Sequence, residues 1–235
     1  MLVDSHCHVY GFRIDELESF KNILIVGVAE DYESSIKNLE ISKTFSNIYA
    51  FVGAHPWNLQ DIGDEEVEKI IEIAGESSGI GEVGLDKRYS KKTIEEQIKV
   101  FRLFCEVASE KNLPMNIHAL DTWRECFNIV TSHNVKRVLF HWYTGPLNIL
   151  EEIASQGYYI SINPAVIIQP KHRVVLEKAE IDILITESDG PYLYHGMNLS
   201  PLKIRELVET MARIKDQPVE YLERVIENNF KKFIG

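Results

Sequence analysis

The sequence Leu2-Val3-Asp4-Ser5-His6-Cys7-His8-Val9 gives the clearest indication of the fold. It combines the β-branched and apolar residues of a short strand with polar residues near its end. Seven further stretches of this kind follow at intervals of about one βα unit, and helical patterns separate them. The predicted strands are Leu2–Val9, Ile23–Val28, Ile48–Val52, Gly79–Val83, Leu113–Ile117, Arg137–Phe140, Tyr158–Ile162 and Ile181–Thr186. This alternation predicts parallel strands joined by crossover helices.

The helical patterns are amphipathic, because their apolar residues recur at intervals of three and four. The clearest predicted helices are Lys91–Lys111, Asp61–Gly75, Leu202–Arg213 and Pro218–Phe233. No linker or repeat interrupts the pattern, so we predict a single domain over residues 1–235. Eight strands in 235 residues indicate an α/β fold of the (β/α)8 TIM-barrel type. An open doubly wound sheet is the alternative, and it would bind its ligand at one switch point.

Composition excludes several classes of protein. The net charge of −11 argues against broad electrostatic binding to nucleic acid, although metal ions could supply local positive charge to a nuclease. No apolar run approaches the ~18 residues of a membrane-spanning helix. The three cysteines are odd in number and widely spaced, which argues against a disulfide framework. These features predict a soluble globular protein of the reducing cytoplasm.

Residues that can bind metals gather at the ends of the predicted strands. They are His6, His8, His55, Glu82, His118, His141 and Asp189. In a (β/α)8 barrel these strand ends converge on one face, where the active site lies, so the histidines favour the barrel over the open sheet. His6 and His8 are two residues apart and point to the same side of their strand. Cys7 is predicted to point toward the helices, and Asp4 to lie behind the two histidines.

The types of ligand restrict the metal. Imidazole and carboxylate groups without a thiolate suit Mg, Mn, Zn, Fe or Co and argue against Cu(I) and iron–sulfur clusters. Four histidines and two carboxylates are more than one tetrahedral ion with an open position requires. Two ions about 3.5–4 Å apart that share one carboxylate would use all six residues. We therefore predict two divalent ions and a hydrolytic reaction.

Several blocks of the sequence resemble the TatD family of metal-dependent deoxyribonucleases. The blocks are Asp4-Ser5-His6-Cys7-His8, Gly53-Ala54-His55-Pro56, Gly81-Glu82-Val83-Gly84-Leu85-Asp86, Leu113-Pro114-Met115-Asn116-Ile117-His118, His141-Trp142-Tyr143-Thr144-Gly145 and Glu187-Ser188-Asp189-Gly190-Pro191-Tyr192, with a closing segment Asn228–Gly235. They occur in the order of the family and extend over nearly the whole chain. This family belongs to the amidohydrolase-like (β/α)8 barrels, so the resemblance implies the architecture predicted above.

The resemblance also implies roles for individual residues. The implied ligands are His6, His8 and Asp189 for one ion and His118 and His141 for the other, with Glu82 bridging both. The implied metals are Mg, Mn, Zn or Co. The implied contacts with substrate are His55, next to a phosphate, and Asn198.

The implied activity is cleavage of DNA phosphodiester bonds, as a 3′→5′ exonuclease on single strands. The hypothetical mechanism is in-line attack of a metal-activated hydroxide on phosphorus, with Glu82 and Asp189 as the catalytic carboxylates. Asp189 would orient or deprotonate the water. Single-stranded DNA is the predicted partner. No membrane contact and no obligatory protein partner are predicted, and the chain is expected to be a monomer or a small homo-oligomer.

Two departures from the family pattern concern phosphate binding. Leu120 and Met197 stand where family members typically carry arginine, which binds phosphate through two hydrogen bonds. Lys87, Arg88 and Arg124 are predicted near the same rim and could compensate. An amidohydrolase acting on an amide, ester or lactone of a small metabolite is therefore the alternative function. A non-catalytic scaffold is disfavoured, because every expected ligand is present.

Aromatic residues follow several of the same motifs. Trp57, Tyr89, Trp142 and Tyr143 lie on predicted loops beside the site, where they would either stack on bases or pack the loops. His195 could reach the site from the loop after the eighth strand. Asp86 is predicted to brace the loop that presents Glu82.

Two histidines are assigned no functional role. His133 and His172 resemble exposed residues at the ends of helices, where a positive charge can favour a C-terminus.

Overall fold

Eight parallel strands form one sheet in which each strand pairs with the next along the chain. The computed structural model describes residues 1–235. The strands are β1 Leu2–Cys7, β2 Ile23–Gly27, β3 Ile48–Val52, β4 Gly79–Asp86, β5 Met115–Leu120, β6 Val138–Phe140, β7 Tyr159–Ile162 and β8 Leu184–Thr186. Helices separate the strands, so the predicted (β/α)8 architecture is confirmed. A small hairpin of β9 Leu193–Tyr194 and β10 Met197–Asn198 follows β8.

The seam between β8 and β1 is closed largely by polar side chains. Thr186 Oγ1 donates to the carbonyl of Val3 at 2.5 Å, and Ser5 Oγ donates to the carbonyl of Thr186 at 3.0 Å. At the C-terminal end of the seam, the Asp189 amide donates to the His6 carbonyl at 2.9 Å. These bonds satisfy backbone groups that strand pairing leaves open at the seam, and they bring the segment after β8 against the end of β1.

Nine helices surround the strands. Their bounds are α1 Ile14–Ser19, α2 Tyr32–Thr44, α3 Asp64–Ile73, α4 Ile94–Lys111, α5 Trp123–Ser132, α6 Leu147–Ser155, α7 Pro170–Lys178, α8 Ile204–Ile214 and α9 Val219–Ile234. None of them is long and apolar enough to cross a membrane. The predicted helix Lys91–Lys111 begins three residues late, because Thr93 caps α4. The Thr93 hydroxyl accepts from the Glu96 amide at 3.3 Å, and the Glu96 carboxylate accepts from the Thr93 amide at 2.9 Å.

Strand boundaries differ from the prediction at four places that affect the site. Strand β1 ends at Cys7 instead of Val9, and β5 runs from Met115 to Leu120 instead of from Leu113 to Ile117. Strand β4 continues three residues past Val83 to Asp86, because its pairing with β5 continues to Asp86 opposite Leu120. The predicted strand Ile181–Thr186 is wrong in its first half, since Ile181–Ile183 forms a 3-10 turn and β8 begins at Leu184.

Glycine allows β4 and β5 to approach closely beside the site. Gly84 has φ +149°, and a Cβ atom there would lie 1.9 Å from the carbonyl oxygen of His118. Gly53 directly follows the neighbouring strand β3, and a Cβ atom on Gly53 would lie 2.7 Å from the carbonyl oxygen of Glu82. Side chains at these positions would therefore displace the backbone that carries Glu82 and His118.

Candidate metal centre

The strand ends surround a cavity of about 520 Å³. His8, His55, Glu82, His118, His141 and Asp189 line it, and His6 lies buried directly beneath. The structure thus brings together all six predicted metal ligands and His55. The remaining predicted site residue, Asn198, lies exposed on the β9–β10 hairpin and does not line the cavity.

Glu82 is the central residue of the cluster. Its Oε2 atom lies 3.3 Å from His6 Nε2 and 3.8 Å from His8 Nε2. Its Oε1 atom lies 2.8 Å from His118 Nδ1 and 3.0 Å from His141 Nε2. One carboxylate therefore faces two pairs of histidines, one with each oxygen, as a residue that bridges two ions would.

Asp189 faces only the first pair. Its Oδ1 atom lies 3.4 Å from His6 Nε2 and 3.3 Å from His8 Nε2. Its backbone adopts φ +57°, a left-handed conformation that is costly for a residue with a side chain. The hydrogen bond between its amide and the His6 carbonyl holds it there. Backbone strain at this position is thus associated with the carboxylate that faces the cavity.

The outer ring nitrogen of each of the four histidines also faces a polar group. His6 Nδ1 lies 2.8 Å from Asn116 Oδ1, and His8 Nδ1 lies 3.3 Å from the Tyr10 hydroxyl. His118 Nε2 lies 2.9 Å from Asp86 Oδ2, and His141 Nδ1 lies 3.6 Å from Glu187 Oε2. Partners of this kind fix the orientation of metal-binding imidazoles and set which nitrogen is free to coordinate.

The charges in the cluster stabilise one another. Burial opposes ionisation of Glu82, but the neighbouring His55, His141 and His6 outweigh it and hold the pKa of Glu82 well below its ordinary value. Asp189 behaves likewise, because the neighbouring His6 and His8 imidazoles lower its pKa against the effect of burial. Burial and the charge of His6 lower the pKa of His141, while Glu82 and Glu187 raise it to a net value of about 9. In this arrangement protons on His6, His118 and His141, whose pKa values are raised by the carboxylates, neutralise those carboxylates.

These residues fit divalent metal ions. One buried ring nitrogen that faces both Glu82 and Asp189, His6 Nε2, has no hydrogen-bond partner, although such atoms are almost always satisfied. The ligand atoms fall into groups within 4.8 Å of one another, among them His6 with His8 and Asp189. Nitrogen and carboxylate oxygen donors suit Mg, Mn, Zn or Co.

His55 lies closer to the cluster than a residue that only contacts substrate would. Its Nε2 atom lies 3.3 Å from Glu82 Oε1 and 3.2 Å from His118 Nδ1. Burial lowers the pKa of its imidazole, and its Nδ1 accepts a hydrogen bond from the Trp57 amide at 3.1 Å. The neutral ring therefore carries its proton on Nε2, directed into the site.

Several residues of the site are absent from the sequence prediction. Glu187 is fully buried, and its Oε2 accepts a hydrogen bond from the Ser161 hydroxyl at 2.5 Å. Asn116 and Tyr10 complete the set of partners behind the histidines. Glu187 stands two residues before Asp189, and Asn116 two residues before His118, and this spacing was the signal available in the sequence.

Asp86 braces its loop as predicted and also contacts a ligand. Its Oδ1 accepts hydrogen bonds from the amides of Arg88 and Tyr89 at 2.6 and 2.7 Å. Its Oδ2 faces Trp57 Nε1 at 2.6 Å as well as His118. Asp4 lies behind the histidines, where its Oδ1 accepts from the amides of His6 and Ser188. Burial raises the pKa of Asp4 to about 7 despite these bonds.

The prediction that His172 is exposed is wrong. The ring is fully buried, its Nδ1 lies 3.0 Å from the Tyr143 carbonyl, and its Nε2 accepts from the Asn163 amide at 2.9 Å. Both nitrogens are satisfied by the backbone, so His172 is a structural residue. His133 is half-buried at the end of α5.

The rim of the cavity is aromatic and has few cations. Trp57, Tyr89, Trp142 and His195 line it, whereas Tyr143 is fully buried in the core. Leu120 also lines it, at the position where the family pattern has arginine.

Of the three predicted compensating cations, only Arg88 lines the cavity, and it is paired with Asp121 at 2.6 Å. Lys87 pairs with Glu125 and Arg124 with Glu152 outside it.

Comparisons with known proteins agree with this site. The family model described as TatD related DNase matches residues 3–235. A relative described as an uncharacterised metal-dependent hydrolase, from Methanocaldococcus jannaschii, is 30% identical over 98% of this chain and 96% of its own. Another of that description, YabD of Bacillus subtilis, is 27% identical over 99% of this chain and 98% of its own.

Solved structures show the same fold. YjjV, a TatD homologue from Escherichia coli K12, superposes with a TM-score of 0.88 at 22% identity, covering 99% of this chain and 97% of its own. A phosphotriesterase homology protein from Escherichia coli gives a TM-score of 0.71 at 12% identity, and the match covers 100% of this chain and 98% of that protein. With a matching family model over nearly its whole length and a cluster of metal-binding residues at the strand ends, the chain belongs to the TatD family of metal-dependent hydrolases.

Proposed function

We propose that the protein cleaves phosphodiester bonds of single-stranded DNA from the 3′ end, as a metal-dependent exonuclease of the TatD type. The observation that carries this proposal is the position of Glu82 between two pairs of histidines, in a chain that matches a family described as TatD related DNase. Centres with two ions are suited to displacement at phosphorus, because both the attacking and the leaving oxygen need stabilisation.

We assign two divalent ions to this centre. His6, His8 and Asp189 would hold the first ion, and His118 and His141 would hold the second. Glu82, which faces both pairs of histidines, would be shared between them. When bound, such ions withdraw charge from phosphoryl oxygens and lower the pKa of a water molecule. The assignment is supported by the distances around Glu82 and by the unpaired buried nitrogen His6 Nε2.

The residues of the chain then position the substrate and move protons. Asp189 lines the cavity beside His8, where its carboxylate accepts a proton from the attacking water. His55, neutral and protonated on Nε2, donates a hydrogen bond to a phosphoryl oxygen. The structural neighbour crystallised with phosphate in its active site shows that this fold can accept a phosphate there.

The test is a time course on short 5′-labelled single-stranded DNA. Metal-stripped protein is supplied with Mg²⁺, Mn²⁺ or Zn²⁺, and the variant His118→Ala combined with Asp189→Asn excludes a contaminating nuclease. We expect a metal-dependent ladder that shortens from the 3′ end and is absent with the variant. Absence of cleavage by protein that binds metal would refute the proposal.

One observation favours a second function, the hydrolysis of an amide, ester or lactone of a small metabolite. Arg88 is the only Lys or Arg that lines the cavity, and Asp121 already neutralises it. A β-aspartyl dipeptidase from Fervidobacterium islandicum shares the fold at 12% identity, with a TM-score of 0.61, covering 94% of this chain and 70% of its own. A panel of uncharged amides, esters and lactones, assayed with the same metals and the same variant, separates the two functions.

The three cysteines support the proposed location in the cytoplasm. All are free and buried, which is typical of proteins that fold in a reducing compartment.

A further inference from the structure

Aromatic side chains line two sides of the cavity above the metal centre. Trp57 and Tyr89 follow β3 and β4, while Trp142 follows β6 and Tyr194 lies on β9, in the hairpin after β8. In the order of strands around the barrel these two groups lie on opposite sides. We name them the first aromatic wall (Trp57, Tyr89) and the second aromatic wall (Trp142, Tyr194).

Contacts within the protein hold each wall in place. In the first wall the Trp57 and Tyr89 rings meet edge to face with centroids 5.6 Å apart, and Trp57 Nε1 donates to Asp86. In the second wall Trp142 and Tyr194 meet at 5.0 Å, and Trp142 Nε1 donates to Gln169 at 2.9 Å. Rings held in this way lose little conformational entropy when a ligand stacks on them.

The first wall is exposed to solvent, and the second wall is half-buried. Tyr89 is 60% exposed and Trp57 is 38% exposed, although aromatic rings of this size are usually more deeply buried. Exposed aromatic groups that gather at one cavity indicate a binding site for a flat, apolar ligand surface.

Charge in the cavity points to the same kind of ligand. Arg88 is its only Lys or Arg and is paired with Asp121, while Glu30 adds a further carboxylate that accepts from Tyr10 at 2.7 Å. A cavity with this lining has little to attract a long chain of phosphates. Its volume of about 520 Å³ lies in the range of pockets that enclose one small ligand.

We infer that the cavity binds the terminal nucleoside of its substrate by stacking the base between the two aromatic walls. The inference rests on the proposed function, since it takes the ligand to be a nucleotide. Stacking on aromatic rings tolerates every base, because each base has a π-face. The walls thus supply the affinity that the missing arginines do not, and the metal centre is left to bind the scissile phosphate.

The test measures binding without cleavage. Metal-loaded protein is titrated by calorimetry with 2′-deoxyadenosine 5′-monophosphate and with 2-deoxyribose 5-phosphate, which lacks the base. We expect the nucleotide to bind about tenfold more tightly or better, as expected for stacking on aromatic rings. Tyr89→Leu and Tyr194→Leu should each reduce this ratio by about fivefold, whereas Tyr89→Phe should retain it. Tyr221→Leu, which changes a partly exposed tyrosine of α9, is the matched control.

Two results would overturn the inference. One is equal affinity of the wild-type protein for the two compounds. The other is a ratio in the wall variants that equals the ratio of Tyr221→Leu. Failure of the proposed function gives a different result. A protein that prefers the nucleotide but cuts no DNA would support the base site and refute the exonuclease activity. A protein that cuts DNA without this preference keeps the exonuclease and loses the base site.

Discussion

The two halves of the metal centre carry their negative charge at different distances from the ligand nitrogens. In the half formed by β1 and the segment after β8, Asp189 itself faces His6 and His8. Behind those histidines stand neutral groups, the amide of Asn116 and the hydroxyl of Tyr10.

The half formed by β5 and β6 has the opposite arrangement. Apart from Glu82, which both halves share, no carboxylate faces the inner ring nitrogens there, His118 Nδ1 and His141 Nε2. Instead Asp86 and Glu187 stand behind the two rings. A carboxylate behind an imidazole makes the ring a stronger ligand, so the second half replaces a direct anionic ligand with two indirect ones. We therefore expect the two halves to respond differently to the same kind of substitution.

Glu82→Gln should have the largest effect, because Glu82 is the only residue that both halves share. Loss of the shared charge should lower hydrolysis by more than the roughly 100-fold typical of losing an outer partner, and should reduce bound metal. The measurement is the rate of hydrolysis together with the metal content after dialysis.

The matched control for this substitution is Glu30→Gln. Glu30 lines the same cavity but lies outside both halves, so its substitution should cost less than about tenfold. Equal losses in the two variants would show that Glu82 acts only through the charge of the cavity.

His172 is a buried histidine outside the metal centre, so its pKa can be compared with that of His141 inside it. Burial lowers the pKa of His172 to about 4 from its ordinary 6.5, while the pKa of His141 is raised to about 9. The His172 ring is therefore protonated at a higher pH in the unfolded chain than in the folded chain. Above pH 6.5 the ring is neutral in both states, and protonation of the unfolded chain does not reduce the stability of the fold. Stability is lost as the pH falls from 6.5 toward 4, by on the order of 3 kcal/mol.

The measurement is an NMR titration of the imidazole groups in metal-stripped protein. At pH 7 the ring of His172 should be neutral and that of His141 charged. A titration of His172 near its ordinary pKa would contradict its burial and its two backbone hydrogen bonds.

His172 also shows where prediction from the sequence ends. The cluster of candidate metal ligands could be predicted because its members sit at strand ends, where a parallel barrel must bring them together. The burial of His172 depends on the carbonyl of Tyr143 and the amide of Asn163, which come from two other connections. No local pattern in Pro170–Lys178 records those contacts.

The partners behind the histidines were missed for a similar reason. Asn116 and His6 are separated by 110 residues, and Glu187 meets His141 only once β6 to β8 are assembled. Their spacing from Asp189 and His118 shows on which side of the strand they lie but not which ring they face. The strands, their order and the ligand set could thus be predicted, and the asymmetry between the halves could not.

A pair of conservative variants measures that asymmetry directly. Glu187→Gln removes a carboxylate behind His141, and Tyr10→Phe removes a neutral hydroxyl near His8. We expect Glu187→Gln to weaken binding of one ion by roughly tenfold or more, and Tyr10→Phe to weaken it by about threefold at most. Calorimetric titration of metal-stripped protein with Zn²⁺ or Mn²⁺ gives both values. Similar losses in the two variants would mean that charge behind the ring does not distinguish the halves.

The smallest effect is expected at Arg88, which is the only Lys or Arg that lines the cavity. The Arg88 side chain is 50% exposed and is paired with Asp121. Arg88→Gln should therefore weaken binding of single-stranded DNA only about threefold. It should also lower the slope of log affinity against log salt by about 0.7, the value for one phosphate contact with a single strand. Lys87→Gln is the control, since Lys87 has the same charge but does not line the cavity. If both variants change the slope equally, DNA binding depends on the overall charge of the cavity rim and not on a contact with Arg88. If only Arg88→Gln does, the bound strand passes over the side of the cavity that Arg88 lines.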